Sequence, residues 1–138
     1  MVTITLRGRE IPLEFSTYEM KLMQEQIARM GDALGLISGV NPEDKTDTGF
    51  ATSPQRLDAL ARAIVIMGNA GLELAGEEPD LTEKWVLRAL RPKEIRYAAN
   101  ACFDAMNEGM QSEIPPKEED GPVDVTLEEM KKKGMKES

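Results

Sequence analysis

Reactive groups are few in this chain. Cys102 is its one thiol, histidine is absent, and 25 carboxylates stand beside 17 lysines and arginines. A cysteine nucleophile needs its thiolate stabilised by histidine or by a nearby cation. Only lysine or arginine could do that here. Cys102 also falls on the inward face of a predicted helix, where a small buried hydrophobe is expected. A single cysteine forbids an internal disulfide and any Cys-x-x-Cys site. Without histidine there is no Ser-His-Asp or Cys-His triad and no imidazole metal ligand.

The carboxylates offer two candidate sites. Asp44-Lys45-Thr46-Asp47-Thr48-Gly49 resembles the start of a calcium loop, with Asp44 and Gly49 at positions one and six. Positions three and five are threonines, and Gln55 stands where a bidentate glutamate is needed, so a polar loop is expected instead. Glu73, Glu77, Glu78 and Asp80 cluster around Gly76 and Pro79. Acid-base work requires burial that splits two pKa values. Glycine and proline mark exposed backbone, so a solvated junction is expected. No cofactor and no metal are expected.

Contact is the better prospect. Arg88, Arg91, Lys93 and Arg96 form a basic cluster, and Arg7 and Arg9 flank a predicted turn. A single-strand nucleic-acid surface would interleave such cations with rings. Only Tyr97 is near, and the net charge is -8, so nucleic acid is not the expected partner. The cluster reads either as a solvated face or as a contact for an acidic protein segment. Met106 and Met110 are the candidate surface methionines, whereas Met20, Met23 and Met67 read as core. Two rows of small residues share one spacing: Ala28, Gly31 and Gly35, then Gly68, Gly71 and Ala75. Mid-helix glycine costs about 1 kcal/mol against alanine. Close helix-helix approach would justify it, within the chain or between copies. The alternative is that these glycines end or kink a helix.

The elements that position these groups follow from the pattern. With 138 residues, 41% hydrophobic and 30% charged, one ordinary globular domain is expected. The longest apolar run, around Ala63–Gly68, is six residues, far short of the ~20 of a membrane span. Charged Arg7, Arg9 and Glu10 follow an alternating Val2–Leu6, which does not read as a secretory signal.

Residues 2–15 alternate with period two on either side of Gly8, which predicts a β-hairpin with one apolar face. Pro12 confines the second strand to an edge. Ser16 as N-cap with Glu19 at N3, and Phe15 stapled to Met20, start a helix. Met20, Met23, Ile27, Met30, Leu34 and Ile37 then predict one continuous helix to Ser38–Gly39. A polar loop occupies 41–53. Ser53-Pro54 opens a second helix carrying Leu57, Leu60, Ile64, Met67 and Leu72. Asp80 with Glu83 caps a third over Leu81–Leu90, and Pro92 precedes a fourth over Lys93–Met110.

The expected fold is therefore mainly α: a bundle of about four helices with an N-terminal hairpin, over residues 1–111. Residues 112–138 shift to a charged, proline-rich composition, which predicts an acidic, disordered tail. Within it, Thr126 to Lys133 could form a short helix against a partner.

Several segments resemble the small tail assembly chaperones of long-tailed phages and prophages. They are Ile4-Thr5-Leu6-Arg7-Gly8-Arg9-Glu10-Ile11-Pro12-Leu13, Ser16-Thr17-Tyr18-Glu19-Met20, Gly68-Asn69-Ala70-Gly71-Leu72-Glu73, Pro79-Asp80-Leu81-Thr82 and Gly121-Pro122-Val123-Asp124-Val125-Thr126-Leu127-Glu128-Glu129. The resemblance implies a non-enzymatic protein of the bacterial host cytoplasm, absent from the mature particle. Such chaperones bind the tape measure protein, keep it soluble and help tail-tube subunits assemble around it. They are mostly helical, self-associate, and are often made in two lengths by a ribosomal frameshift. Lys131-Lys132-Lys133 is compatible with an A-rich slippery site in the gene. The family carries no catalytic motif, so no residue inherits a role. A structural or connector protein of a phage particle, or a small bacterial adaptor, is the alternative.

Overall fold

The computed structural model describes residues 1–40, 44, 46 and 49–111. The tail from 112 onward, with its short helix and lysine run, lies outside the described residues.

The chain opens with an antiparallel hairpin, β1 (Thr3–Leu6) and β2 (Arg9–Pro12). Leu6 faces Arg9 and Ile4 faces Ile11 across it. Arg7 and Gly8 both take positive φ, 53° and 77°. This is the two-residue turn whose twist matches that of the strands. Only one of the two residues is the glycine that such a turn favours. Ile4, Leu6, Ile11 and Leu13 are at most 1% exposed, so one face of the hairpin is core. Burying side chains of this size contributes roughly 1.5–3 kcal/mol each. That compensates for the marginal stability of an isolated hairpin.

Five α-helices follow: α1 (Thr17–Gln26), α2 (Met30–Ser38), α3 (Pro54–Leu74), α4 (Glu83–Ala89) and α5 (Ile95–Gly109). A 3-10 turn over Phe50–Thr52 precedes α3, and another over Pro92–Glu94 precedes α5. The longest helix, α3, touches β2, α1, α2, α4 and α5. Its Leu60, Ile64, Met67 and Leu72 are fully buried, together with Val86 of α4 and Cys102 of α5.

Three element expectations need correction. The first helix is two helices, not one. Past Gln26 the chain leaves the helix, and Arg29 is extended (φ -54°, ψ 151°). The side-chain carbonyl of Gln24 accepts the Met30 N–H at 3.2 Å, supplying the donor end of α2 with a partner. The apolar stripe runs unbroken through this corner because residues on both sides pack on one core: Met23 and Ile37 are fully buried. The third helix is shorter than the pattern predicts, and its cap is Thr82, whose hydroxyl accepts from Trp85 N–H at 3.1 Å. Asp80 is engaged with Arg9 instead. The fourth predicted helix starts as a 3-10 turn, because Pro92 fixes the entry and Glu94 accepts the Arg91 N–H at 2.9 Å.

The predicted start of α1 is realised. Glu19, 5% exposed, accepts the Ser16 N–H at 2.9 Å and also the Ser16 hydroxyl. No helix among the described residues is long and apolar enough to cross a membrane.

Candidate functional site

The small-residue rows resolve into different roles. Gly31 is exposed, and a Cβ built on it would meet nothing within 4 Å. Ala28 lies between α1 and α2, outside either helix, so Ala28, Gly31 and Gly35 are not one helix face. Gly68 and Gly71 do mark a close approach, Gly71 to the hairpin and Gly68 to the segment before α4 as well as the hairpin, rather than to a helix. A Cβ on Gly71 would lie 1.9 Å from the Pro12 carbonyl oxygen. One on Gly68 would lie 2.5 Å from Leu81 Cδ1 and 3.0 Å from Ile11 Cγ2. Ala75 is the exposed C-cap of α3 and lies outside this contact. The Glu14 N–H donates to the Met67 carbonyl at 3.0 Å, tying the exit from β2 to α3. Gly109, not singled out by spacing, does the same for α5: its Cβ would lie 2.0 Å from the Phe15 carbonyl oxygen. The segment after β2 is thus held between two helices that present glycine to it.

The basic residues divide as well. Arg9 is half-buried: its guanidinium pairs with Asp80 at 2.9 Å and lies 5.7 Å from the centre of the Trp85 ring. It ties hairpin to α4 and is a structural group rather than a free contact. Arg7, Arg88, Arg91 and Arg96 are exposed. Arg96 joins Lys93 on the rim of a groove beside α5. Met106 is 3% exposed and belongs to the core, because α5 turns it inward with Cys102 and Ala105. Met110, past the end of α5, is 55% exposed.

The candidate chemical groups have these surroundings among the described residues. Burial pushes the Cys102 thiol up to about 12, so it stays protonated. Glu73, Glu77, Glu78 and Asp80 are all exposed. Asp44 accepts from the Thr46 N–H at 3.0 Å and from its hydroxyl at 2.6 Å. Those hydrogen bonds hold its carboxyl below the usual range and turn it onto its own loop. Lys45, Asp47 and Thr48 of that candidate calcium loop lie outside the described residues. Among the described residues, no three His, Cys, Asp or Glu side chains come together as a metal site requires.

Two features escaped the sequence reading. A shallow groove of about 200 Å3 runs between α1 and α3, lined by Tyr18, Leu22, Val65 and Ala70, with Gln26 and Glu73 at its edges. Tyr18 is 61% exposed there. Tyr18 and Leu22 stand at i and i+4, a second apolar row beside the core row of Met20 and Met23, and that spacing was the available signal. The other feature is Arg56, the one buried arginine among the described residues. Comparison of the chain with family models, with curated proteins and with solved structures finds no match.

Proposed function

We propose that this chain is a phage tail assembly chaperone. It binds the tape measure protein, keeps it soluble and assists tail-tube assembly around it by protein-protein contacts, without catalysis. The major tail-tube protein is a further partner, and several copies of the chain act together. It works in the host cytoplasm and leaves before the particle matures.

The observation that carries the reading is the α1/α3 groove, which presents Tyr18, Leu22, Val65 and Ala70 to solvent between two helices. Such a surface accepts the apolar edge of a partner helix. The segments resembling tail assembly chaperones supply the identity of that partner. A net charge of -8 keeps a coated, aggregation-prone client dispersed.

The test is co-expression with a phage tape measure protein. The wild-type chain should bring the client into the soluble fraction, and Leu22→Glu with Val65→Glu should lose that effect while remaining folded. A client equally soluble with and without the chain refutes the reading. Recovery of the chain from purified particles would assign it to a structural role instead.

A further inference from the structure

A groove of about 490 Å3 opens between the end of α2, the 3-10 turn before α3 and the first half of α5. Its apolar lining includes Val40, 46% exposed, and the half-buried Ile95 and Phe103. Lys93 and Arg96 are exposed on its rim, and Arg56 also lines it. Arg56 is 3% exposed. Its Nη1 donates to the Ala51 carbonyl at 2.8 Å and its Nη2 to the Ile37 carbonyl at 2.9 Å, while Nε has no partner. Both acceptors are neutral, and no carboxylate among the described residues pairs with this cation. Its titratable neighbour is Cys102, held protonated. A buried guanidinium without an anion is a costly arrangement. Three cations around one apolar groove also stand out on a chain of net charge -8.

Beyond the described residues, the chain's C-terminal part is a source of carboxylates for this groove. Between 113 and 129 it carries seven carboxylates and one lysine. The described part ends at Gln111, beyond the far end of α5. From Arg96 to that point the chain runs about 22 Å at helical rise. Glu113 is too close to Gln111 to return that distance. Glu118, seven residues on, reaches about 23–25 Å when extended. Past α5, Glu118-Glu119-Asp120 is therefore the first carboxylate cluster able to reach the groove. The intervening Ile114-Pro115-Pro116 supplies apolar groups for its walls. We propose that this groove is the docking site for the chain's own acidic segment, with Glu118, Glu119 and Asp120 set against Lys93, Arg96 and the buried Arg56. This inference is independent of the chaperone reading.

Carbodiimide coupling of the full chain tests it, because the reagent joins a lysine amine to a carboxylate in contact, with loss of water. Peptide mass spectrometry should find Lys93 joined to Glu118, Glu119 or Asp120 several-fold more often than Lys21 or Lys84 is. Arg96→Glu should lower that yield several-fold, and adding Glu119→Lys should restore it. In an equal mixture of nitrogen-15-labelled and unlabelled chain, the joined peptides should share one isotope. Links pairing the two isotopes would place a second copy's segment in the groove and overturn the proposal. Equal yields at Lys21, Lys84 and Lys93 would overturn it too.

Discussion

The Pro12 carbonyl oxygen occupies the space that a side chain at Gly71 would need, 1.9 Å from where its Cβ would stand. The obstacle is backbone, so no rotamer change relieves it. Gly71→Ala should cost about 3 kcal/mol, at the upper end of overpacking effects. Gly31→Ala, in open space in the first turn of α2, should instead gain about 0.4–1 kcal/mol. Urea denaturation of the two variants checks both signs. Equal effects would deny the asymmetry between the two glycine rows.

Arg56 joins the end of α2 to the turn before α3 through two carbonyls. Arg56→Lys keeps the charge but lacks the planar fork that reaches both acceptors. It should destabilise by roughly 1–3 kcal/mol, the range for stranding a buried polar group. Thermal unfolding measures it, and an unchanged midpoint would deny Arg56 this bracing role.

Asn69 accepts the Leu81 N–H at 2.9 Å and donates to the Leu81 carbonyl at 3.3 Å. It therefore pins the connection between α3 and α4. Asn69→Ala strands both backbone groups and should cost about 1–3 kcal/mol. The Leu81 amide should then exchange hydrogen faster than the amides in the middle of α3, which hydrogen-exchange mass spectrometry resolves.

Cys102 makes stability depend on alkaline pH. Its thiol is raised from 9.0 to about 12 by burial. The folded state therefore keeps a proton that the unfolded state loses above pH 9. Its contribution is fully present below pH 9 and is lost as pH rises toward 12. The loss is about 1.4 kcal/mol for each unit in that window. Cys102→Ala should remove this part of the alkaline slope in denaturation series from pH 8 to 10.5. Ellman's reagent should label the wild-type thiol only as the protein unfolds.

Ser16 and Glu19 close the start of α1. Ser16→Ala should cost about 1 kcal/mol. Glu19→Ala should cost at least as much, since its buried carboxylate accepts the Ser16 N–H. Circular dichroism melts check both values.

Much of the local structure was legible in the residues. Period two around Gly8, the Ser16–Glu19 box and Ser53-Pro54 each specify an element through contacts a few positions apart. The corner at Ile27–Arg29 was not legible. No glycine or proline marks it, and the apolar stripe continues through it because both helices pack on the same core. Met106 and Met110 share helical spacing, yet one is buried and the other lies past the end of α5. The glycines of α3 announced a close approach without naming the neighbours, which are the Pro12 backbone at Gly71 and the Leu81 and Ile11 side chains at Gly68.

By itself, then, the sequence determined the hairpin, the presence of most helices and the scarcity of reactive groups. Those depend on local periodicity, caps and residue types. Only the tertiary structure decided where the first stripe bends and that Arg9 is spent on Asp80 and Trp85. It also decided that Arg56 is buried beside an apolar groove, with no carboxylate partner among the described residues. Each of these joins residues far apart in the chain, and no local spacing encodes which distant surfaces will meet.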